Sequence, residues 1–334
     1  MIDAGKLNYH LIVLDETGAR HDLKDCATKI GWEENEKELS TRLTFRCQNK
    51  IPSGYASDVI KIGCLAVVFA SSGGAEEEVV RGYIKEWEPS VSASENSFTA
   101  TCYDELFSLE KSQDSFYIQS GQTTQAVINQ ILSAWGVTAV FQGSNVTHGK
   151  LKFQSKALAD CLMEILEDAV EKGGKECIIR AEKGVIQIIP KGSNQNVYVF
   201  GADNGIKLSH KRSISNMVTR VKVIGRETKD GRYPVEAVVD GKTEFGVLQK
   251  VMTRETSQSI AEAKSAAQKI LDEDGQVEEK ISLSLPDVPY VRKGDYIYIN
   301  NVLGSVGYME VLSIQHDADT ASMTVTVKPV KEAA

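Results

Sequence analysis

Between residues 8 and 105 apolar and polar positions alternate in short runs, YHLIVLD, ATKIGW, LSTRLTFRCQ, VIKIGCLAVVFA, VVRGYIKEW and NSFTATCYD, all rich in β-branched and aromatic residues. Turn-forming clusters at Asp15–Gly18 and Ser71–Gly74 separate them, so the pattern predicts successive strands of a small barrel or sandwich. From about residue 122 the period lengthens. Ala126, Ile128, Ile131, Leu132 and Trp135 recur at helical spacing after the capping candidates Thr123 and Thr124. A second helix is predicted over 156–172, with Leu158, Cys161, Leu162, Ile165, Leu166 and Ala169 in one stripe and Gly173-Gly174 as its end. Two strands, ECIIRAE and GVIQIIPK, meet at Lys183-Gly184. Alternation resumes near Ile206, where MVTRVKVIGRE and YPVEAVVD join through Asp230-Gly231 and another tight turn falls at Asp240-Gly241. One helix interrupts this region, from an N-cap at Ser257 to about Asp274, with Ile260, Ala263, Ala267, Ile270 and Leu271 on its apolar side and Gly275 as C-cap. The strands EKISLSL, GDYIYI, GYMEVLSIQHD and ASMTVTVKP follow. The predicted class is therefore α+β, mainly β: a β module over 1–105, an α/β insert over 106–205, and a second β module with one helix over 206–334. A length of 334 residues suits two or three domains of about 100–200 residues each.

The two β regions carry a diverged repeat. VIKIGCLAVVF aligns with YVRKGDYIYIN, placing Gly63 against Gly294, and GYIKEWEPSVSASENSFTATCYD aligns with GYMEVLSIQHDADTASMTVTVKP, placing Gly82 against Gly307. The difference in spacing falls in the hairpin loop, where length changes are tolerated. In both copies the central strand is apolar on both faces. Ala66 and Val68 alternate with Leu65 and Val67, and Ile297 and Ile299 with Tyr296 and Tyr298. A strand with one wet face would alternate apolar with polar, so the second face is covered either by the same chain or by a neighbouring subunit. Large amphipathic rings suit contact surfaces, which makes Tyr296 and Tyr298, with their counterparts Leu65 and Val67, the candidate subunit-interface residues.

Composition adds exclusions. Hydrophobic residues at 42% and charged residues at 25% describe a chain that buries a core. The longest apolar run, Ile60–Ala70, is broken by Lys61 and Gly63 and is far shorter than the roughly 20 residues of a membrane helix. The amino end shows no basic leader with an apolar stretch, so synthesis is expected to finish in the cytoplasm. A net charge of −8 without a Lys/Arg cluster argues against nucleic-acid partners. Cys26, Cys47, Cys64, Cys102, Cys161 and Cys177 contain no CxxC pair and read as buried thiols.

The order of parts, together with the phrases ISNMVTRVKVIG, AEAKSAAQKIL and VRKGDYIYI, resembles the baseplate hubs of contractile phage tails and phage-tail-like bacteriocins, the late-control D-like proteins that include the XkdQ type. The resemblance covers nearly the whole chain and rests on structural phrases. It implies two tube-like barrel modules per chain and a homotrimer whose six modules form a pseudo-sixfold ring. Such a ring would adapt the hexameric tail tube to the trimeric spike. The implied partners are the tube or tube-initiator protein, the spike and other baseplate proteins, and the implied location is a phage tail or tail-like particle.

Candidate chemistry is sparse. GSNVTHGK, Gly143–Lys150, has five residues between its glycines where a phosphate loop has four, and Leu151 replaces the magnesium-binding hydroxyl. Asn145-Val146-Thr147 is a formal glycosylation sequon and otherwise an ordinary loop. Asp272-Glu273-Asp274-Gly275 lacks the alternating ligands of a calcium loop and reads as a helix end. Glu33-Glu34-Asn35-Glu36 and Glu76-Glu77-Glu78 read as solvated faces. His10, His21, His148, His210 and His316 lie outside metal-ligand spacing, and no GxSxG elbow occurs. No catalytic, cofactor or metal site is assigned. The alternatives to a scaffold are a tail-associated cell-wall hydrolase, whose triad or carboxylate pair would leave no local trace, and a carbohydrate-binding receptor protein.

Overall fold

Alternating burial along the first hundred residues turns the predicted strands into a sheet with one face on a core. The computed structural model describes residues 6–51, 54–92, 96–201, 207–254, 259–302 and 305–330. In the first module β1 (Asn8–Leu14), β2 (Arg20–Asp22), β3 (Ala27–Glu34) and β4 (Arg42–Gln48) precede a short excursion of β5 (Lys50–Ile51), β6 (Gly54–Tyr55) and α1 (Ala56–Val59). The chain continues through β7 (Leu65–Ser71), β8 (Glu77–Val91) and β9 (Asn96–Tyr103). Inward positions Leu11, Val13, Leu43, Phe45, Ala66, Val68, Ile84 and Phe98 fill one core. The turn after β1 is set by Asp15, whose Oδ1 accepts the N–H groups of Thr17 (2.8 Å) and Ala19 (3.0 Å), while Gly18 takes the left-handed φ of 82°.

The insert holds α2 (Phe107–Lys111), β10 (Gln113–Ile118), α3 (Thr124–Ser133), β11 (Ala139–Phe141), β12 (Leu151–Ala157), α4 (Leu158–Glu171), β13 (Cys177–Glu182) and β14 (Val185–Pro190). Every predicted stripe residue of α4 is buried. At about 1.5–3 kcal/mol for each fully buried aliphatic side chain, this face is a principal source of the insert's stability. On α3 the buried residues are Thr124, Val127, Ile128, Ile131 and Leu132. Ala126 is exposed instead, and Trp135 lies beyond the helix, its indole N–H donating to Asp114 (3.2 Å). The β13–β14 hairpin turns on Lys183 and Gly184, both at positive φ.

After β15 (Val199–Gly201) come β16 (Lys207–Ser213), β17 (Arg220–Ile224), β18 (Val235–Asp240), β19 (Gln249–Thr253) and α5 (Ile260–Asp274). The predicted cap Ser257 lies outside the described residues. Ser259 caps α5, its hydroxyl accepting the N–H of Glu262 (3.2 Å) while its own N–H donates to the Glu262 carboxylate (2.6 Å). Ala263, Ala267 and Leu271 pack on Val221, Val223 and Ala237, Ile260 is exposed, and Gly275 ends the helix with its N–H on Leu271 O. The last strands are β20 (Glu278–Pro286), β21 (Tyr296–Val302), β22 (Ser305–Asp317) and β23 (Ser322–Pro329). The chain divides into two compact units, Met1–Leu208 with Ser282–Ala334, and Ser209–Ile281. The region expected as one module from 206 onward thus contains a unit with its own core.

The fold is α+β and mainly β, as the pattern predicted. Among the described residues of the unit Met1–Leu208 with Ser282–Ala334, the largest sheet runs in the order β23-β22-β3-β4-β9-β8-β7-β1-β2, with β21 on β22 and β15 on β21. This path is open: among the described residues neither module closes into the barrel expected from the resemblance. The modules are instead fused edge to edge where Ile314–Asp317 of β22 pairs antiparallel with Gly31–Glu34 of β3.

Backbone pairing supports the repeat and corrects its register. Gly63 and Gly294 occupy the same place: each has positive φ, and each donates its N–H, to Ile84 O (2.9 Å) and Val311 O (2.8 Å) respectively. Ile84 and Val311 in turn donate to Cys64 O and Asp295 O. Immediately afterwards both long strands bulge, between Ile84 and Glu86 and between Val311 and Ser313. Ile84 is therefore the counterpart of Val311, and Gly82 that of Met309. Gly307 lies two residues away, opposite Ile299. A two-residue slip keeps every side chain on its own face, so the apolar pattern alone could not detect it.

Candidate assembly surface and a buried ionic junction

Of the four proposed interface residues three keep some exposure, and Val67, expected on the outer face, is instead buried within the chain. Ala66, Val68, Ile297 and Ile299 are buried, whereas Leu65, Tyr296 and Tyr298 are half-buried and Val67 is covered within the chain. The insert accounts for part of this cover. Gly192 lies so close to the Tyr296 ring that a Cβ there would stand 2.4 Å from it, and Asn194 bonds both the N–H (2.8 Å) and C=O (2.9 Å) of Tyr296. Tyr298 meets Tyr308 edge to face at 5.2 Å, and Tyr308 is 51% exposed. Leu65 in the first module, and Tyr298 and Tyr308 in the second, keep part of their surface accessible.

Beneath it, the turn preceding β21 carries the ions of the VRKGD phrase into the interior. Arg292 donates from Nε to Glu34 Oε1 (2.5 Å), from Nη1 to Ala181 O (3.0 Å) and from Nη2 to Thr41 Oγ1 (3.3 Å). Glu34, read from the sequence as a solvated residue, is 2% exposed, because β3 continues through it and turns it towards Arg292. Burial pushes its carboxyl up, but the Arg292 charge and hydrogen bond prevail and hold it below the usual range. Lys293 is buried and donates to the carbonyls of Asn35 (2.9 Å) and Glu38; burial pulls its ammonium down. Arg180 of β13 pairs with Asp295 (2.9 Å), whose carboxyl burial raises. First module, insert and second module thus share one ionic junction.

Asp104 closes the junction on the first-module side. Its carboxylate accepts the N–H groups of Thr41 (3.0 Å) and Leu106 (3.0 Å), yet burial outweighs these bonds and pushes its pKa up to about 7. A raised carboxyl binds a proton in the folded state that the unfolded state has already released. Its contribution is complete below about pH 4 and is lost as pH rises through 7. Stability should therefore fall between pH 5.5 and 8, and Asp104→Asn should flatten that fall, as read from urea unfolding midpoints at the two pH values. An equal slope in both proteins would show that Asp104 does not govern it.

Above the junction opens a cavity of about 170 Å³, lined by Arg81, Arg180, Lys183 and Arg292 as well as Glu78, Asp104 and Glu182. Basic and acidic side chains both line it, and Arg81 Nε and Nη2 donate to the two oxygens of Glu78 (2.6 Å each). Among the described residues no group of three His, Cys, Asp or Glu side chains could hold a metal ion. The cysteines are free thiols, five of them buried, and burial raises Cys47 to about 12 and Cys161 to about 11, away from thiolate chemistry.

Two histidine networks escaped sequence reasoning. Thr124 Oγ1 lies 2.8 Å from His148 Nε2, and His148 Nδ1 lies 2.5 Å from Asp168, the order of groups in a nucleophile, base and acid relay. Thr124 is 0% and His148 2% exposed, and the hydroxyl already accepts the N–H of Val146 (3.1 Å). With no room for a substrate, the relay clamps GSNVTHGK onto α3 and α4. Elsewhere His316 stacks on Trp32 (4.5 Å between rings, 13°), bonds Asp287 (2.6 Å) and Val291 O (3.2 Å), and shares Asp287 with the Tyr9 hydroxyl. This network ties β1 and β3 to the second module.

The same architecture occurs in solved tail proteins. The 43 kDa tail protein of prophage MuSo2 from Shewanella oneidensis is 14% identical, over 96% of this chain and 98% of that one, with a TM-score of 0.68. A tail protein from Neisseria meningitidis MC58 is 13% identical over 96% of both chains, with a TM-score of 0.69. The Escherichia coli c3393 protein is described as a type VI secretion component with structural similarity to the T4 tail proteins gp27 and gp5. It is 11% identical over 92% of this chain and 74% of that one, at 0.53. These likenesses define the class: the chain has the fold of phage tail proteins. Within that class it belongs to the YQBQ-like family, which matches residues 30–328. Curated proteins compared by sequence give no match.

Proposed function

We propose that the chain is the structural hub of a contractile-tail baseplate, a homotrimer that adapts the hexameric tail tube to the trimeric spike. The observation that carries this reading is the repeated β7–β8–β9 and β21–β22–β23 unit within one continuous sheet. Two related modules in each of three copies give the six positions that stacking on a sixfold tube requires. The modules are those over 1–105 and 206–334, with the insert over 106–205 at the side of the ring or towards the spike. Leu65, Val67, Tyr296 and Tyr298 belong to its subunit contacts, although Val67 is already buried within one chain. The protein is made in the bacterial cytoplasm and assembled with the tube or tube-initiator protein, the spike and other baseplate proteins into a phage tail or a bacteriocin particle. Its role is mechanical rather than enzymatic. The purified protein should have the native mass of a trimer by light scattering and should release nothing from purified cell walls. A monomer at every accessible concentration, or peptidoglycan release abolished by a point change in this chain, would overturn the reading.

A further inference from the structure

Three guanidinium groups line the cavity of about 170 Å³ above the ionic junction: Arg81 from β8, Arg180 from β13 and Arg292 from the turn before β21. Each carries five N–H groups. Within the chain Arg81 donates through two of them, to Glu78, Arg180 through one, to Asp295, and Arg292 through three, to Glu34, Ala181 and Thr41. The Nε–H of Arg180 is buried and has no acceptor among the described residues. A buried donor without a partner is destabilising, and here a cavity lies beside it with room for the acceptor that would satisfy it. We infer that this cavity is a binding site for a single carboxylate, with Arg180 as its first donor and Arg81 and Arg292 supplying further positive charge.

The buried acids of the lining are already engaged. Both oxygens of Glu78 accept from Arg81 (2.6 Å each), and those of Asp104 accept the N–H groups of Thr41 and Leu106 (3.0 Å each). The cavity therefore lacks acceptors rather than donors. Burial pushes Asp104 up to about 7, so below neutral pH it sets little negative charge against an anion. Arg180 is the least neutralised of the three arginines, because burial also raises the carboxyl of its partner Asp295. The other charged lining residues, Glu77, Glu182 and Lys183, are exposed, where water and salt screen them. Size limits the ligand. Pockets for drug-sized molecules measure about 300–1,000 Å³, so this one admits a small group. Charge limits it again, since Glu78, Asp295 and Glu34 already face the three arginines and leave a place for one negative charge rather than the two of sulfate. A planar carboxylate also matches the paired N–H groups of a guanidinium. A free carboxylate ion and the acidic side chain of a partner polypeptide share this chemistry, and the test separates them.

The probes are sodium acetate, a blocked Gly-Asp-Gly peptide and sodium sulfate, each added to the whole chain at pH 6 and compared with sodium chloride at equal ionic strength. The readouts are the thermal midpoint and the Nε–H resonance of Arg180, assigned by its loss in Arg180→Lys. Acetate should raise the midpoint saturably and shift that resonance. Arg180→Lys keeps a cation beside Asp295 but has no Nε–H, and should bind acetate roughly tenfold more weakly or worse. Lys183→Glu changes an exposed residue of the lining, so it should weaken binding several-fold with the far-ultraviolet circular dichroism unaltered, and it serves if the lysine variant does not fold. Binding of the peptide as well as acetate assigns the site to the side chain of a partner polypeptide, whereas binding of acetate alone assigns it to a free ion. An Arg180 resonance that neither acetate nor the peptide moves overturns the inference. So does sulfate bound as tightly as acetate, or an acetate response that both variants leave unchanged.

Discussion

Arg292→Ala should lower the stability of the first unit by about 3–5 kcal/mol, the usual cost of leaving one member of a buried ion pair alone. Glu34 is 2% exposed, and the guanidinium keeps it charged although burial alone would favour the neutral acid. The same side chain satisfies Ala181 O and Thr41 Oγ1, so alanine also strips two polar groups of a partner. By contrast Lys156 and Glu164, an ion pair that stands partly in solvent, should contribute about 0–1 kcal/mol. The double substitution Glu34→Gln with Arg292→Met should recover much of the loss, because it removes the charge rather than stranding it. Urea midpoints of wild type, the single and the double variant, followed by one probe, decide the matter. A single variant as stable as wild type would show that Glu34 reaches water or another cation once Arg292 is gone.

This junction also marks how far the sequence could be read. The α4 stripe was legible because all six positions follow one helical period and all six are buried. On α3 the same period named Ala126 and Trp135, yet Val127 points inward and the tryptophan falls after the helix end, where periodicity no longer assigns a face. The Gly82 and Gly307 match failed for another reason: sheets repeat every two residues, and only hydrogen bonds distinguish registers two apart. The barrels expected from the resemblance are an open path among the described strands, since the edge at which β22 could end is instead joined to β3. Glu34 and Arg292 were illegible in principle. They lie 258 residues apart, and each reads locally as a surface charge beside others. The same holds for Thr124, His148 and Asp168, which meet only when α3, α4 and their connecting loop have packed.

The central strand of the second module should separate folding from assembly most sharply. Ile297 is 0% exposed and faces the core, while Tyr298, its neighbour, is half-buried on the opposite face against the exposed Tyr308. Ile297→Asp places a carboxyl among apolar atoms without a partner and should cost about 4 kcal/mol or more, enough to unfold the module or leave it marginal. Tyr298→Glu with Tyr308→Glu puts its charges on a wet face of the single chain, so the monomer should keep its circular dichroism and its thermal midpoint within a few degrees. In the proposed ring that face meets an adjacent module, and two unpaired carboxylates there should weaken each contact by several kcal/mol. Tyr296 is the poorer test, because Gly192 and Asn194 already pack against it and a change there would disturb the insert. Sedimentation of the tyrosine double variant should show folded monomers under conditions in which the proposed ring holds wild type as a trimer. If the variant remains trimeric, Tyr298 and Tyr308 lie outside the subunit contact.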